Sequence, residues 1–286
     1  MNQSPEESPR PTRTRAKNVV PDTLWRRGSE GYWWWRNRGN HQLAAMFSTR
    51  LRSDRERLKT LRDRHIGERC FIIGNGPSLK KTDLSLLRNE ITFGMNRIYL
   101  MFEELGFPTT YFFAINTLVI EQCAPEIRAL PMPKFLTWRS RRWMSGDPGT
   151  LFIDTDYRGK ESFSDDLTGR VFEGGTVTYI ALQAAYWMGF QEVILVGVDH
   201  SYSTKGPANA TVVSKSEDPD HFHPEYFGRG FRWQLPDLEA SERSYRLARD
   251  AFKADGRKVV DATVGGLLEV FPKVNYKSLF PGRGDS

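Results

Sequence analysis

Cysteine is scarce: Cys70 and Cys123 are the only two in 286 residues, with no CxxC pair. That excludes a disulfide scaffold and zinc-finger spacing, and both cysteines lie in apolar runs that predict buried thiols. Long hydrophobic runs are missing as well. No stretch approaches the roughly 18 consecutive apolar residues of a spanning helix, and the N-terminus has no apolar signal-peptide core, so a cytoplasmic chain is expected. Also absent are internal repeats, a GxGxxG turn, a Walker A GK[ST] and any nucleic-acid-binding motif, so nucleic acid is not an expected partner.

The chain is 39% hydrophobic and 27% charged, with 24 Gly and 16 Pro, which is the make-up of a globular protein long enough to bury a core. Its charge is unevenly placed. Residues 1–60 hold 13 Lys and Arg against 6 Asp and Glu, whereas the remainder holds 28 against 29. Residues 1–22, rich in Pro, Ser, Thr and charge, read as a disordered tail. Residues 23–66 form a basic arm, in which Trp25-Arg26-Arg27 and Tyr32-Trp33-Trp34-Trp35-Arg36 mix indoles with guanidinium groups, a composition suited to an interface between apolar and wet surroundings. Apolar residues at Leu43, Phe47, Leu51, Leu58 and Leu61 predict an amphipathic basic helix. Three uses compete for it: packing on the parent domain or a second subunit, lying on an anionic membrane, or binding nucleic acid. A homo-oligomer and peripheral membrane contact through residues 25–61 are the corresponding expectations.

From residue 67 to 286 strand-length apolar runs alternate with helix-like segments. Arg69–Gly74, Ile91–Met95, Tyr111–Ile115, Lys134–Trp138, Thr150–Ile153, Glu192–Val198 and Lys258–Val260 read as strands. Thr82–Leu87, Leu118–Arg128, Thr176–Met188 and Asp237–Ala254 read as helices. The alternation predicts an α/β, Rossmann-like fold with a mostly parallel sheet and helices on both faces. Ligands then bind beyond the carboxyl ends of strands.

Four such places carry unusual residues. Gly74-Asn75-Gly76-Pro77-Ser78 leaves the first strand, where glycines permit a tight turn and close backbone approach and Asn75 and Ser78 offer hydrogen bonds; a nucleotide or phosphate cradle and an ordinary turn both fit. Asn96 and Arg97 follow the second strand and Asn116 the third. Two amides at one crevice suit a base or ribose edge, although each Asn could instead cap a helix or turn. Gly175 and Thr176 open the central helix, as a phosphate site or as a plain N-cap. Asp199 and Tyr202 leave the last long strand, and the later loop Asp220-His221-Phe222-His223-Pro224-Glu225 adds proton-transfer groups: Asp199, His221, His223 and Glu225. His221-x-His223 lacks a clear third ligand, so no metal site is expected. The triplets Asp154-Thr155-Asp156 and Asp218-Pro219-Asp220 are of the kind that hold divalent ions, but roughly one is expected by chance in a chain this long with this many carboxylates. Arg139, Arg141 and Arg142 beside Trp138 and Trp143 read as a solvated loop in which one guanidinium could hold an anion. Arg283-Gly284-Asp285 reads as a tail.

Gly74 through Lys80, with Asn96, Asn116-Thr117-Leu118 through Gln122, and Gly189 through Asp199, resemble the bacterial sialyltransferases of glycosyltransferase family 42. His221-Phe222 through Tyr226-Phe227 and Asp261-Ala262-Thr263-Val264-Gly265-Gly266 through Pro272 look more like the wider MptE-like domain family. That family includes an archaeal hydroxymethyl-dihydropterin diphosphokinase and domains associated with surface-polysaccharide and flagellin glycosylation. The resemblance spans residues 68–280. It implies a CMP-linked sugar acid as donor, a glycan, lipid or protein acceptor, inverting displacement and no cofactor or metal. By motif, Asn75 and Asn96 would hold the cytidine nucleotide, Asn116 would lie on the donor and Tyr202 near its phosphate, with His221 or His223 as base. Thr176-Val177-Thr178 departs from the family pattern. The alternatives are a pyrophosphate transfer from ATP to a hydroxymethyl-pterin, using Mg²⁺ held by Asp199, Asp154 or Asp156, and a non-catalytic scaffold on a nucleotide fold.

Overall fold

A computed structural model describes residues 40–282; the tail at 1–22, the Trp/Arg clusters at 25–36 and the terminal Arg-Gly-Asp lie outside the described residues. Chain contacts divide the protein into two compact units, Met1–Ser48 and Thr49–Ser286. In the first, α1 covers Asn40–Phe47.

The second unit is built on eight parallel strands: β1 (Arg69–Ile73), β2 (Ile91–Met95), β3 (Tyr111–Ala114), β4 (Lys134–Thr137), β5 (Thr150–Asp156), β6 (Arg170–Phe172), β7 (Glu192–Val196) and, after the short strands β8 and β9 below, β10 (Lys258–Asp261). Their order is β10-β7-β1-β2-β3-β4-β5-β6. All seven expected strands are present. The sheet is buried on both sides, which is why its strands read as continuous apolar runs instead of alternating. One side, with Cys70, Ile72, Phe93, Phe113, Phe135, Val193 and Leu195, shares a core with Tyr179–Met188 and with Tyr245, Ala248 and Phe252. The other side, with Phe71, Ile73, Phe112, Leu136 and Ile194, is fully buried too. Both cysteines are buried and free.

Two long helices match expectation: α6 (Val177–Trp187) and α7 (Leu238–Ala254). Three other segments are broken. The helix expected over 43–61 is α1 followed by α2 (Thr49–Lys59). In α2 the buried Leu51, Asp54 and Leu58 face the sheet, so this stretch packs on its own domain and belongs to the sheet's compact unit. Thr82–Leu87 is not a helix. A 3₁₀ turn at Pro77–Lys81 is followed by another at Leu84–Leu87, with the Asp83 side chain accepting the Ser85 N–H between them. The short α3 (Phe102–Leu105) follows β2. The segment 118–128 is α4 (Thr117–Gln122) and α5 (Ala124–Ala129), parted at Cys123, where Pro125 cannot donate to a continuing helix. Three three-residue strands are too short to show in the apolar pattern: β6, and the antiparallel pair β8 (Thr211–Val213) and β9 (Arg232–Gln234).

Successive strands run outward from β1 to β6, and the chain then crosses back to lay β7 on the other side of β1. The order therefore reverses between β1 and β7, the place where an open α/β sheet offers a ligand crevice. No described helix is long and apolar enough to cross a membrane.

Candidate active site

The turn after β1 is welded to the turn after β7. Gly74 N–H donates to Val196 O at 2.7 Å and Gly76 N–H to Gly197 O at 2.9 Å. The glycines serve this approach: a Cβ on Gly74 would sit 2.1 Å from Gly197 O, and one on Gly76 1.8 Å from Asp199 Oδ2. Ser78 completes the joint, donating its N–H to Asp199 Oδ1 (3.1 Å) and its hydroxyl to Oδ2 (2.6 Å). Burial pushes the Asp199 carboxyl above its ordinary value, and the Ser78 hydrogen bonds pull against that. Asp199 thus orders the crevice through Ser78.

Two amides are left open beside this joint. The Oδ1 atoms of Asn75 and Asn96 are shut off from solvent without a hydrogen-bond partner. Asn96 has φ 50° and His200 φ 56°, left-handed conformations that concentrate at ligand sites. Unpartnered buried acceptors are costly and call for a donor, such as a ribose hydroxyl or an exocyclic amine. Asn116 differs: its Oδ1 accepts the Leu118 N–H at 2.9 Å as the N-cap of α4. Thr176 likewise caps α6, its hydroxyl accepting the Thr178 N–H at 3.2 Å, after Gly174 and Gly175 at φ 61° and 76°. The Tyr245 ring on α7 lies 6.4 Å from that of His200 in the β7 turn.

The histidine loop is bolted onto this crevice. Phe222 N–H donates to Asn75 O at 2.9 Å. The Arg97 guanidinium donates to the carbonyls of Glu225 (2.7 Å) and Tyr226 and lies 5.2 Å from the Phe231 ring, so it binds the loop. Inside the loop His221 stacks on Tyr226 with centroids 4.0 Å apart and meets Tyr202 edge-on at 6.0 Å. Burial drives both tyrosine hydroxyls upward in pKa. His221 Nδ1 lies 2.7 Å from Asp218 Oδ2. His223 Nδ1 instead accepts the Glu225 N–H at 3.1 Å. On the far side of β7, the buried Asp261 ties Thr263 N–H (2.8 Å) and Lys273 (2.6 Å), and the same turn returns Leu267 N–H to Asp199 O at 2.9 Å.

The sheet therefore brings Gly74, Asn75, Gly76, Ser78, Asn96, Arg97, Asp199, Tyr202, His221 and His223 together. Asp218 was visible in the sequence only as half of an Asp-x-Asp triplet; its spacing of three residues from His221 was the signal that could have found it. The triplets are otherwise engaged. Asp220 takes N–H and hydroxyl bonds from Ser203 and Thr204, and Asp154 pairs with Arg170 at 3.3 Å. Among the described residues no three His, Cys, Asp or Glu gather as a metal-ligand set. Arg139 is no solvated-loop residue: it pairs at 2.6 Å with the buried Glu173.

No family model matches the chain, and no curated protein sequence matches it. One solved structure similar to it is that of the MAf glycosyltransferase from Magnetospirillum magneticum AMB-1, with TM-score 0.47 and 12% identity. The match covers 81% of this chain and 39% of that one.

Proposed function

We propose that the protein is a glycosyltransferase whose donor is a nucleotide-activated sugar, most plainly a CMP-linked nonulosonic acid, and whose acceptor is a hydroxyl of a surface glycan, lipid or protein. The observation that carries this reading is the bond between the Gly-Asn-Gly turn and the histidine loop, Phe222 N–H to Asn75 O at 2.9 Å. It ties the loop that carries His221 to the turn that carries Asn75, whose amide oxygen, like that of Asn96, lacks a donor. Asn75 and Asn96 would take the nucleoside's N–H or O–H groups. His221 would remove the acceptor proton as the acceptor oxygen bonds to the anomeric carbon. The bond from that carbon to the phosphate oxygen breaks in the same displacement, and its electron pair leaves with CMP. A base of this kind contributes roughly 10²–10⁴-fold. A single leaving phosphate needs modest charge stabilisation, which the Tyr202 hydroxyl would supply.

Pyrophosphate transfer from ATP is less well supported by the geometry. Asp199 is bonded to Ser78, and Asp154 and Asp156 stand at β5, five strand positions from β7, on the order of 20 Å away. The Trp/Arg clusters at 25–36 fit peripheral contact with an anionic membrane, a role open to test by vesicle co-sedimentation with and without residues 1–39. The central test is release of CMP from CMP-N-acetylneuraminic acid in the presence of chelator, comparing wild type with His221→Ala. Release that falls by the factor above in the variant, with CMP binding retained, supports the assignment; equal rates in both remove it.

A further inference from the structure

The 218–227 segment treats its two imidazoles in opposite ways. Asp218 is 3% exposed in its side chain and faces His221 Nδ1 at 2.7 Å. A carboxylate only accepts, so the shared proton resides on Nδ1. The carboxylate is itself held from behind: Oδ2 also accepts the Phe227 N–H at 3.0 Å, and Oδ1 the Asp220 N–H at 2.8 Å. The ring is clamped by the Tyr226 face at 4.0 Å and by the edge-on Phe227 ring at 4.9 Å. With Nδ1 fixed as a donor, the neutral ring carries its lone pair on Nε2. No described residue hydrogen-bonds that atom. His223 has the reverse arrangement. Its Nδ1 lone pair takes the Glu225 N–H at 3.1 Å, which leaves the proton on Nε2 and no free acceptor on the ring.

We infer that Asp218 is a positioning residue that holds His221 as the Nδ1–H tautomer, with Nε2 as the proton acceptor, and that this selects His221 over His223 as the base. The inference rests on the transferase reading for its use, but the tautomer can be measured without it. In the acceptor step the hydroxyl proton passes to Nε2, and Asp218 stays ionised and steadies the imidazolium that forms, as the buried carboxylate of a catalytic triad does.

The test uses full-length protein labelled with ¹⁵N-histidine, with long-range ¹H–¹⁵N spectra of wild type, Asp218→Asn and Asp218→Glu; His221→Gln assigns the resonances. CMP titration and a melting curve on each variant check that the crevice is intact. Expected is an Nδ1–H His221 in wild type, lost in Asp218→Asn and kept in Asp218→Glu. CMP release should fall by roughly 10²–10⁴-fold in Asp218→Asn, recover in part in Asp218→Glu, and show a changed pH profile in Asp218→Asn. An Nε2–H His221 in wild type, or a tautomer and rate unchanged in a folded Asp218→Asn, overturns the inference. A wild type with the Nδ1–H tautomer that neither binds nor releases CMP upholds the pairing and counts against the transferase reading instead.

Discussion

Two groups of buried polar residues in this molecule are built to opposite ends. Where α2 meets β5, Asp54 is fully buried and wholly satisfied: Arg50 and Arg57 pair with it at 2.9 and 3.1 Å, and Phe152 N–H donates at 3.3 Å. The same arginines reach Thr150 O at 2.7 and 3.0 Å, and Arg57 reaches Pro148 O at 2.8 Å. At the β1/β7 crevice, Asn75 and Asn96 keep acceptors without donors, and Asn96 and His200 hold left-handed backbones. A polar cluster that closes on itself holds a fold together. One that leaves matched atoms open at a switch point is arranged for a ligand, and the rest of the fold must offset its cost.

The sharpest separation comes from Asp54→Ala. Arg50 and Arg57 are 37% and 42% exposed and regain water, but the buried Phe152 N–H loses its acceptor and two charge-assisted bonds go, so urea unfolding should lose about 3–5 kcal/mol, while the folded fraction binds CMP as before. Next in size is the pair His221→Ala and His223→Ala: CMP release should drop by roughly 10²–10⁴-fold in the first and stay near wild type in the second, both with nucleotide affinity retained. Equal losses in both would erase the distinction between the two rings. Asn96→Ala should invert the Asp54 result. Calorimetry should show CMP binding weakened by about 1–2 kcal/mol, roughly 5–30-fold, with unfolding stability lowered by no more than about 1–2 kcal/mol, the cost of alanine at φ 50°.

The smallest effect concerns pH. Burial pushes the Asp220 carboxyl up, but N–H and hydroxyl bonds from Ser203 and Thr204 outweigh it and hold the group below its ordinary value of 3.8. A carboxyl depressed in the folded state stabilises above its unfolded value, and that contribution is lost as pH falls through the folded value. Acid unfolding of wild type should therefore include a component below about pH 4 that Asp220→Asn lacks. Curves that coincide after normalisation would remove Asp220 from the loop's support.

The fold was legible because seven buried parallel strands are unbroken apolar runs, and α6 and α7 are long enough to carry periodicity. Strands β6, β8 and β9 were not, being three residues each with at least one exposed end. Helix breaks at Asp83 and Cys123 turn on one cap or one proline, which periodicity averages away. Of the site, Asn75, Asn96 and Asp199 could be found because each directly follows a strand, and strand ends converge whatever the loops do. Asn116 and Thr176 shared that signal but cap helices. The pairing of Asp218 with His221 depends on how one long loop folds back onto Asn75, which no periodicity encodes.

The most direct measurement is a calorimetric titration of the full chain with CMP, CDP, UDP and ATP, each with Mg²⁺ and with chelator, beside Asn96→Ala. Expected is CMP binding that survives chelator and weakens in the variant. Binding of ATP with Mg²⁺ alone, or CMP binding indifferent to Asn96, would contradict a nucleotide crevice between β1 and β7 that serves sugar transfer.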